Sequence, residues 1–177
     1  MNRRNFVKAT VGSGVAIGLA AGAVWFSIDK NTEPLTIEAA LSTLKSIRGN
    51  PISHRGEWNP TEIFSHCAQS VEYSMSGFPE HKSDLFKNTV GHLAFSAFSA
   101  KGKMTHGLNE PIPGAPELGL ESHLMQALAR LERSMLDFKN YQGKLAPHFA
   151  YGDLSKEEYE SAHVMHLYNH LLEIKIG

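Results

Sequence analysis

From Thr36 to the C terminus the apolar residues recur every three or four positions and almost never alternate, and this spacing confines the chain to helices that each bury one face. Ile37, Leu41, Leu44 and Ile47 mark a first helix that stops before Gly49-Asn50-Pro51. Trp58-Asn59-Pro60-Thr61-Glu62 predicts the start of a second, with Asn59 as N-cap, Pro60 at the first helical position and Glu62 closing a capping box. It should run to Ser76 and stop at Gly77. A third begins near Ser83 or Asp84 and carries Leu85, Phe86, Val90, Leu93, Phe95 and Phe98 as far as Lys101-Gly102; its apolar content makes it the helix expected to be most buried. Leu120, Leu124, Leu128, Leu131, Met135 and Phe138 step by four and three residues and give a long fourth helix. The last starts with Ser155 as cap and Glu158 closing a second box, and should continue nearly to Gly177. The fold class read from this pattern is all-α, in one domain without internal repeats.

Residues 102–119 interrupt the pattern. They contain Pro111, Pro113, Pro116 and several glycines, so they cannot form regular helix. A loop this long is uncommon inside a compact domain, and prolines that fix φ favour a shaped cover over a site rather than a loose connector.

Residues 1–30 are set apart from the fold as a targeting segment, leaving 31–177 as the single domain. Arg3-Arg4-Asn5-Phe6-Val7-Lys8 precedes an uncharged, Gly- and Ala-rich stretch from Val11, with Ala21-Gly22-Ala23 as a small-residue cleavage candidate. This resembles a twin-arginine export signal. It implies the twin-arginine translocase as a partner, and a periplasmic location or anchorage to the outer face of the inner membrane. Membrane contact is expected only through this segment. Export in the folded state also suits a protein that acquires a cofactor before it crosses. Cleavage after Ala23 would remove Arg3, Arg4 and Lys8 from a chain with 17 basic and 18 acidic residues, leaving a mildly acidic surface. Such a balance supplies no electrostatic footprint for a phosphate backbone, which argues against nucleic acid as a partner.

Ten histidines beside a single cysteine are the compositional oddity. One Cys67 cannot form an internal disulfide, and zinc sites built on two thiolates are excluded within one chain. On the last helix Tyr159, His163, His166, His170 and Ile174 follow the rhythm of a buried seam, so three imidazoles stand where a bundle normally places leucine. Each buried polar group left unpaired costs roughly 1 to 3 kcal/mol, and these imidazoles therefore need partners. His166 and His170, four apart, share one helix face and can reach a common ion. His163 lies two turns from His170, about 10 Å along the axis, and reads as a neighbour rather than a ligand. A third ligand has a candidate in His66 on the second helix, bordering the face traced by Ile63, Cys67, Ser70 and Ser74. Cys67 points elsewhere and reads as a small buried residue. By spacing alone, core histidines bonded to hydroxyls or water fit as well as ligands do. His54, His81, His92, His106, His123 and His148 read as structural or solvated, with His92 and His148 the two to watch.

Trp58 to Ser70, Glu72 to Pro79, Pro111-Ile112-Pro113-Gly114-Ala115-Pro116 and His148 to Ser155, taken with the histidine helix, resemble an exported bacterial family called domain of unknown function 1569. That family is similar to the DinB/YfiT-like superfamily of up-down-down-up four-helix bundles, here with an extra short helix and the long Pro/Gly loop. The resemblance implies a divalent metal ion held by one histidine from the second helix and two from a His-x-x-x-His on the last. Those roles fall on His66, His166 and His170. All-imidazole ligation suits zinc, nickel, iron or copper, and zinc, nickel or iron is the expectation. Some members of the superfamily are thiol-dependent transferases or isomerases. The chemistry implied is attack by thiol or water on a small-molecule electrophile, with a non-catalytic metal-binding or partner-binding bundle as the alternative. Glu72, Tyr73, Gln69, Tyr151 and His148 are candidates to orient a substrate, and no catalytic residue is singled out. A homodimer is compatible with the sequence.

Overall fold

The computed structural model describes residues 33–118 and 123–177. Residues 1–30, read above as an export signal, and Leu120 at the expected start of the fourth helix lie outside the described residues.

Helix α1 (Ile37–Arg48) is capped by Thr36, whose hydroxyl oxygen accepts from the Ala39 N–H at 3.3 Å. Helix α2 (Pro60–Ser76) has the expected capping box: Asn59 Oδ1 accepts from the Thr61 and Glu62 N–H groups at 2.9 and 3.1 Å, and the Glu62 carboxylate accepts from the Asn59 N–H at 2.7 Å. It ends at Gly77, whose φ of 103° is open to glycine and strained for other residues. The expected third helix is α3 (Asp84–Phe86), a π turn over Lys87–Gly91 and α4 (His92–Lys101), with the backbone helical through both joints. Helix α5 (Leu124–Asn140) and helix α6 (Lys156–Leu171) complete the set, α6 opening with the Ser155–Glu158 capping box.

Helices α1 and α2 each lie against both α5 and α6, so the four long helices close around one core that includes Ile37, Leu44, Phe64, Leu128, Leu131 and Leu167. The most buried helix is α2, not the third. Every residue from Ile63 to Val71 is buried. Ser65, Cys67, Ala68 and Ser70 are small and uncharged, so neighbours can approach on all sides. The hydroxyls of Ser65 and Ser74 donate back to Thr61 O at 2.7 Å and Val71 O at 2.6 Å, so neither hydroxyl proton needs an acceptor from the core. By contrast Leu85 and Leu93 are 76% and 70% exposed. Helix α4 is apolar nearly all round and buries only Phe95, in a small second cluster with Met104, Ala162 and Met165. The segment abuts a turn rather than the main core: a Cβ on Gly91 would run into the carbonyl oxygen of Ala150. Composition measures how apolar a helix is, while burial depends on what lies beside it.

The structure is mostly helical, as the all-α reading expects, but the last helix does not continue nearly to Gly177. Helix α6 stops at Leu171, and β2 (Ile174–Ile176) pairs antiparallel with β1 (Ile52–His54) in the register Ile52–Ile176, Ser53–Lys175, His54–Ile174. Ile174-Lys175-Ile176 is a short alternating, β-branched run, and its partner lies more than a hundred residues away, beyond any local pattern. The Arg55 N–H donates to Glu173 O at 3.1 Å and the Arg55 guanidinium to Leu172 O at 3.0 Å, extending the closure to the end of α6. This ribbon ties the entrance of α2 to the exit of α6. Among the described residues no helix is long and apolar enough to cross a membrane.

Truncation after Leu172 removes three cross-strand pairs, each worth roughly 0.2 to 1 kcal/mol, and is expected to lower stability by about 1 to 3 kcal/mol. Urea unfolding checks this, and an unchanged midpoint would refute the role given to the ribbon.

Candidate metal centre

His66 stands in the N-terminal half of α2, and His166 and His170 occupy the last turns of α6, the two helix ends that the ribbon joins. Their Nε2 atoms converge. His66 Nε2 lies 3.1 Å from His166 Nε2, which lies 3.2 Å from His170 Nε2. The three ring centroids are 4.8 to 4.9 Å apart. Two nitrogens each about 2.0 to 2.1 Å from a shared ion, at octahedral to tetrahedral angles, stand roughly 2.8 to 3.4 Å apart. The observed spacings fall in that range, so the cluster could hold a metal ion.

Hydrogen bonding among the three rings cannot satisfy them. A neutral imidazole nitrogen offers either one N–H or one lone pair, so His166 Nε2 can serve only one of its two neighbours. The Nδ1 atoms of His66 and His170 are buried without a hydrogen-bond partner, so they offer no alternative. Protonation is no remedy either. Burial first, and the neighbouring His106 second, push His66 down to about 3. Burial, then His66 and His170, hold His166 well below the ordinary range, and His170 is lowered by burial and then by His66 and His106. At neutral pH the centre is therefore a set of uncharged rings whose Nε2 atoms converge, each able to turn a lone pair inward. A cation accepts all of those lone pairs at once.

Beside the cluster lies a cavity of about 240 Å³, bordered by His66, His166, Met104, Ile112, Tyr151 and Tyr159 among others. Two further buried histidines line it. His163 sits beside Phe138 and Tyr159, with its Nε2 3.2 Å from the Ser74 hydroxyl, and burial lowers it to about 3. It is a neighbour, as its spacing predicted. His148 Nδ1 accepts from the Ala150 and Tyr151 N–H groups at 3.1 and 3.2 Å, which leaves the proton on Nε2, and its ring stacks on Tyr151 at 4.2 Å. The Tyr159 hydroxyl donates to Ala146 O at 2.8 Å.

The other candidates separate cleanly. Cys67 is buried with its thiol pushed up by burial, so it stays protonated. Glu72 is held by a two-pronged ion pair with Arg130 at 2.9 and 2.7 Å, and Tyr73 packs on Phe78, so neither belongs to the cavity lining. The Gln69 side-chain amide donates to Pro116 O at 3.2 Å, fastening the proline-rich loop over α2 as the cover reading expects. His92, one of the two histidines to watch, is exposed, as are His54, His81 and His123. Two site residues were not legible in the sequence. Trp58, read only as part of a helix start, packs its ring 4.9 Å from His66 and stacks at 6.0 Å on His170. His106, from the proline-rich loop, stands 4.9 Å from His166 and 5.1 Å from His170, centroid to centroid. The loop's expected role as a cover was the only clue to it.

His148 and His163 are both lowered to about 3, against an ordinary value of 6.5. The unfolded chain takes up protons below 6.5 that the folded chain refuses. Their contribution is thus fully present above that pH and is lost on acidification at about 1.4 kcal/mol per pH unit per residue. In chelator, unfolding free energy is expected to be flat near pH 7.5 and to fall steeply below 6.5. His163→Gln should flatten that slope by about one proton's worth, and an unaltered slope in urea titrations across this window would count against a buried neutral imidazole.

No curated protein and no solved structure matches the chain. A family comparison does: residues 31–175, nearly everything beyond the N-terminal segment, match, and the chain belongs to the family described as "Protein of unknown function (DUF1569)".

Proposed function

We propose that the chain binds one divalent metal ion, zinc, nickel or iron, through His66, His166 and His170, and uses the adjoining cavity to present a small electrophile to a thiol or water nucleophile. The observation that carries this reading is the convergence of three uncharged Nε2 atoms that cannot satisfy one another. When bound, such an ion supplies Lewis acidity and draws the pKa of a thiol or water toward neutrality, because three neutral ligands leave its charge uncompensated.

The chain's own residues supply the rest. Met104 and Ile112 give the cavity apolar walls suited to a small, weakly polar substrate. His148 contributes an Nε2–H donor to its lining. Trp58 fills the space against two of the rings and keeps water from them. The assembly of four long helices with a three-histidine centre supports membership of the DinB/YfiT-like group. The Arg3-Arg4-Asn5-Phe6-Val7-Lys8 run supports folded export through the twin-arginine route to the periplasm, or retention on the outer face of the inner membrane. One observation favours a passive metal-binding module instead: the Tyr159 hydroxyl is already committed to Ala146 O and His163 Nε2 to Ser74, leaving few free groups for acid–base work.

Protein purified without a histidine tag is expected to contain one metal equivalent by elemental analysis. At a hundredfold excess over the dissociation constant, added metal should stabilise the metal-free form by about 2.7 kcal/mol. His166→Ala and His170→Ala should abolish both effects. Absence of stoichiometric metal, with stability indifferent to either substitution, would reject the proposal. In the cobalt-substituted protein, a spectrum that responds to added thiols supports the catalytic form of the reading, and one that ignores them supports the passive module.

A further inference from the structure

His106 belongs to neither helix that supplies the three-histidine cluster. It comes from the loop after α4, and its ring centroid lies 4.9 and 5.1 Å from those of His166 and His170, at the edge of the group whose ligand nitrogens already lie within 4.8 Å of one another. Its Nδ1 is 2.7 Å from the carbonyl oxygen of Gly107, so Nδ1 carries the proton and donates it there. That bond fixes the tautomer. Nε2 is left with a lone pair, buried and without a hydrogen-bond partner. A buried acceptor left unpartnered beside an uncharged imidazole cluster is costly unless something electropositive satisfies it. The same hydrogen bond to a backbone carbonyl is the arrangement that prepares a histidine to ligate through its other nitrogen.

The loop is anchored further along. The Asn109 side-chain amide donates to the Glu57 carboxylate at 2.5 Å, Ile112 is buried in the main core, and Pro116 O accepts from Gln69. His106 lies between these three fastenings and Met104, which is buried in the second apolar cluster.

Resting on the metal reading above, we propose that His106 is a fourth ligand to the same ion, supplied by the loop, so that metal binding draws its Nε2 in toward the three-nitrogen group, closes the loop over the centre and fills the fourth position until a substrate displaces the imidazole. Four nitrogen ligands complete the number that zinc or cobalt takes in a tetrahedral site. The ion then acts as a clasp between the loop and the ends of α2 and α6.

The test uses the full chain loaded with cobalt, with His106→Ala and His106→Gln beside the wild type. Wild-type protein should show an intense four-coordinate spectrum that added imidazole leaves unchanged. Both variants should bind cobalt and zinc at least about tenfold more weakly, show a weaker spectrum as water enters, and recover intensity with added imidazole. Limited proteolysis gives a readout independent of the spectrum: metal should protect the 102–108 stretch in the wild type and not in the variants. Agreement of the two variants shows that the loss lies in the ligand and not in a vacated volume. Unchanged spectrum, affinity and protection in the variants would overturn the fourth ligand while leaving the three-histidine centre intact. A wild type that takes up no cobalt or zinc would overturn both.

Discussion

Three neutral imidazole nitrogens meeting at one point are a problem in electrostatics before they are a functional site. Each carries a lone pair or a proton, never both, and His166 faces two partners with a nitrogen that can serve one. Burial rules out the easy escape of protonation, since a charged ring in this environment would be desolvated beside other imidazoles. The rest of the structure arranges the conditions for this. Helix α2 is buried along nine successive residues, α6 turns its histidine seam inward, and Trp58 seals the outer side.

Convergence needs register, and register comes from elements that carry no chemistry. A one-turn slip between α2 and α6 would move His66 by about 5 Å relative to His166 and His170, well beyond a shared ligand sphere. The antiparallel ribbon between Ile52–His54 and Ile174–Ile176 prevents that slip by joining the chain just before α2 to the chain just after α6. Arg55 reinforces it through the carbonyl groups at the end of α6. The proline-rich loop closes the remaining side, held by Gln69 and by the burial of Ile112. Packing, ribbon and loop thus act on one geometric variable, the distance between two helix ends.

Around the centre the groups fall into two kinds. Tyr159, His163 and Ser74 are engaged with one another or with backbone, and they stiffen the wall between the cluster and the core. His148 is positioned by the backbone of a tight turn and faces a cavity bounded by apolar side chains. An enzyme and a passive metal holder can share this plan. The difference between them would lie in whether a bound ion exchanges a ligand.

What the sequence determined by itself was everything governed by short-range physics. The caps at Asn59 and Ser155, the stop at Gly77, the seam of α5 and the helical spacing of His166 and His170 depend on residues within one or two turns, so local patterns reveal them. The meeting of His66, His166 and His170 was legible too, from that spacing and from the place of His66 on a capped helix, while the ligand reading itself came from family resemblance. Only the tertiary structure decided the contacts between distant segments. The exposure of Leu85 and Leu93, the end of α6 at Leu171, the pairing of residues 52–54 with 174–176, and the arrival of Trp58 and His106 at the centre all depend on which surfaces meet. A sequence pattern shows that a side is apolar or that a ring can coordinate. The close approach of segments a hundred residues apart is set by the packing of the whole core, which no window of sequence contains.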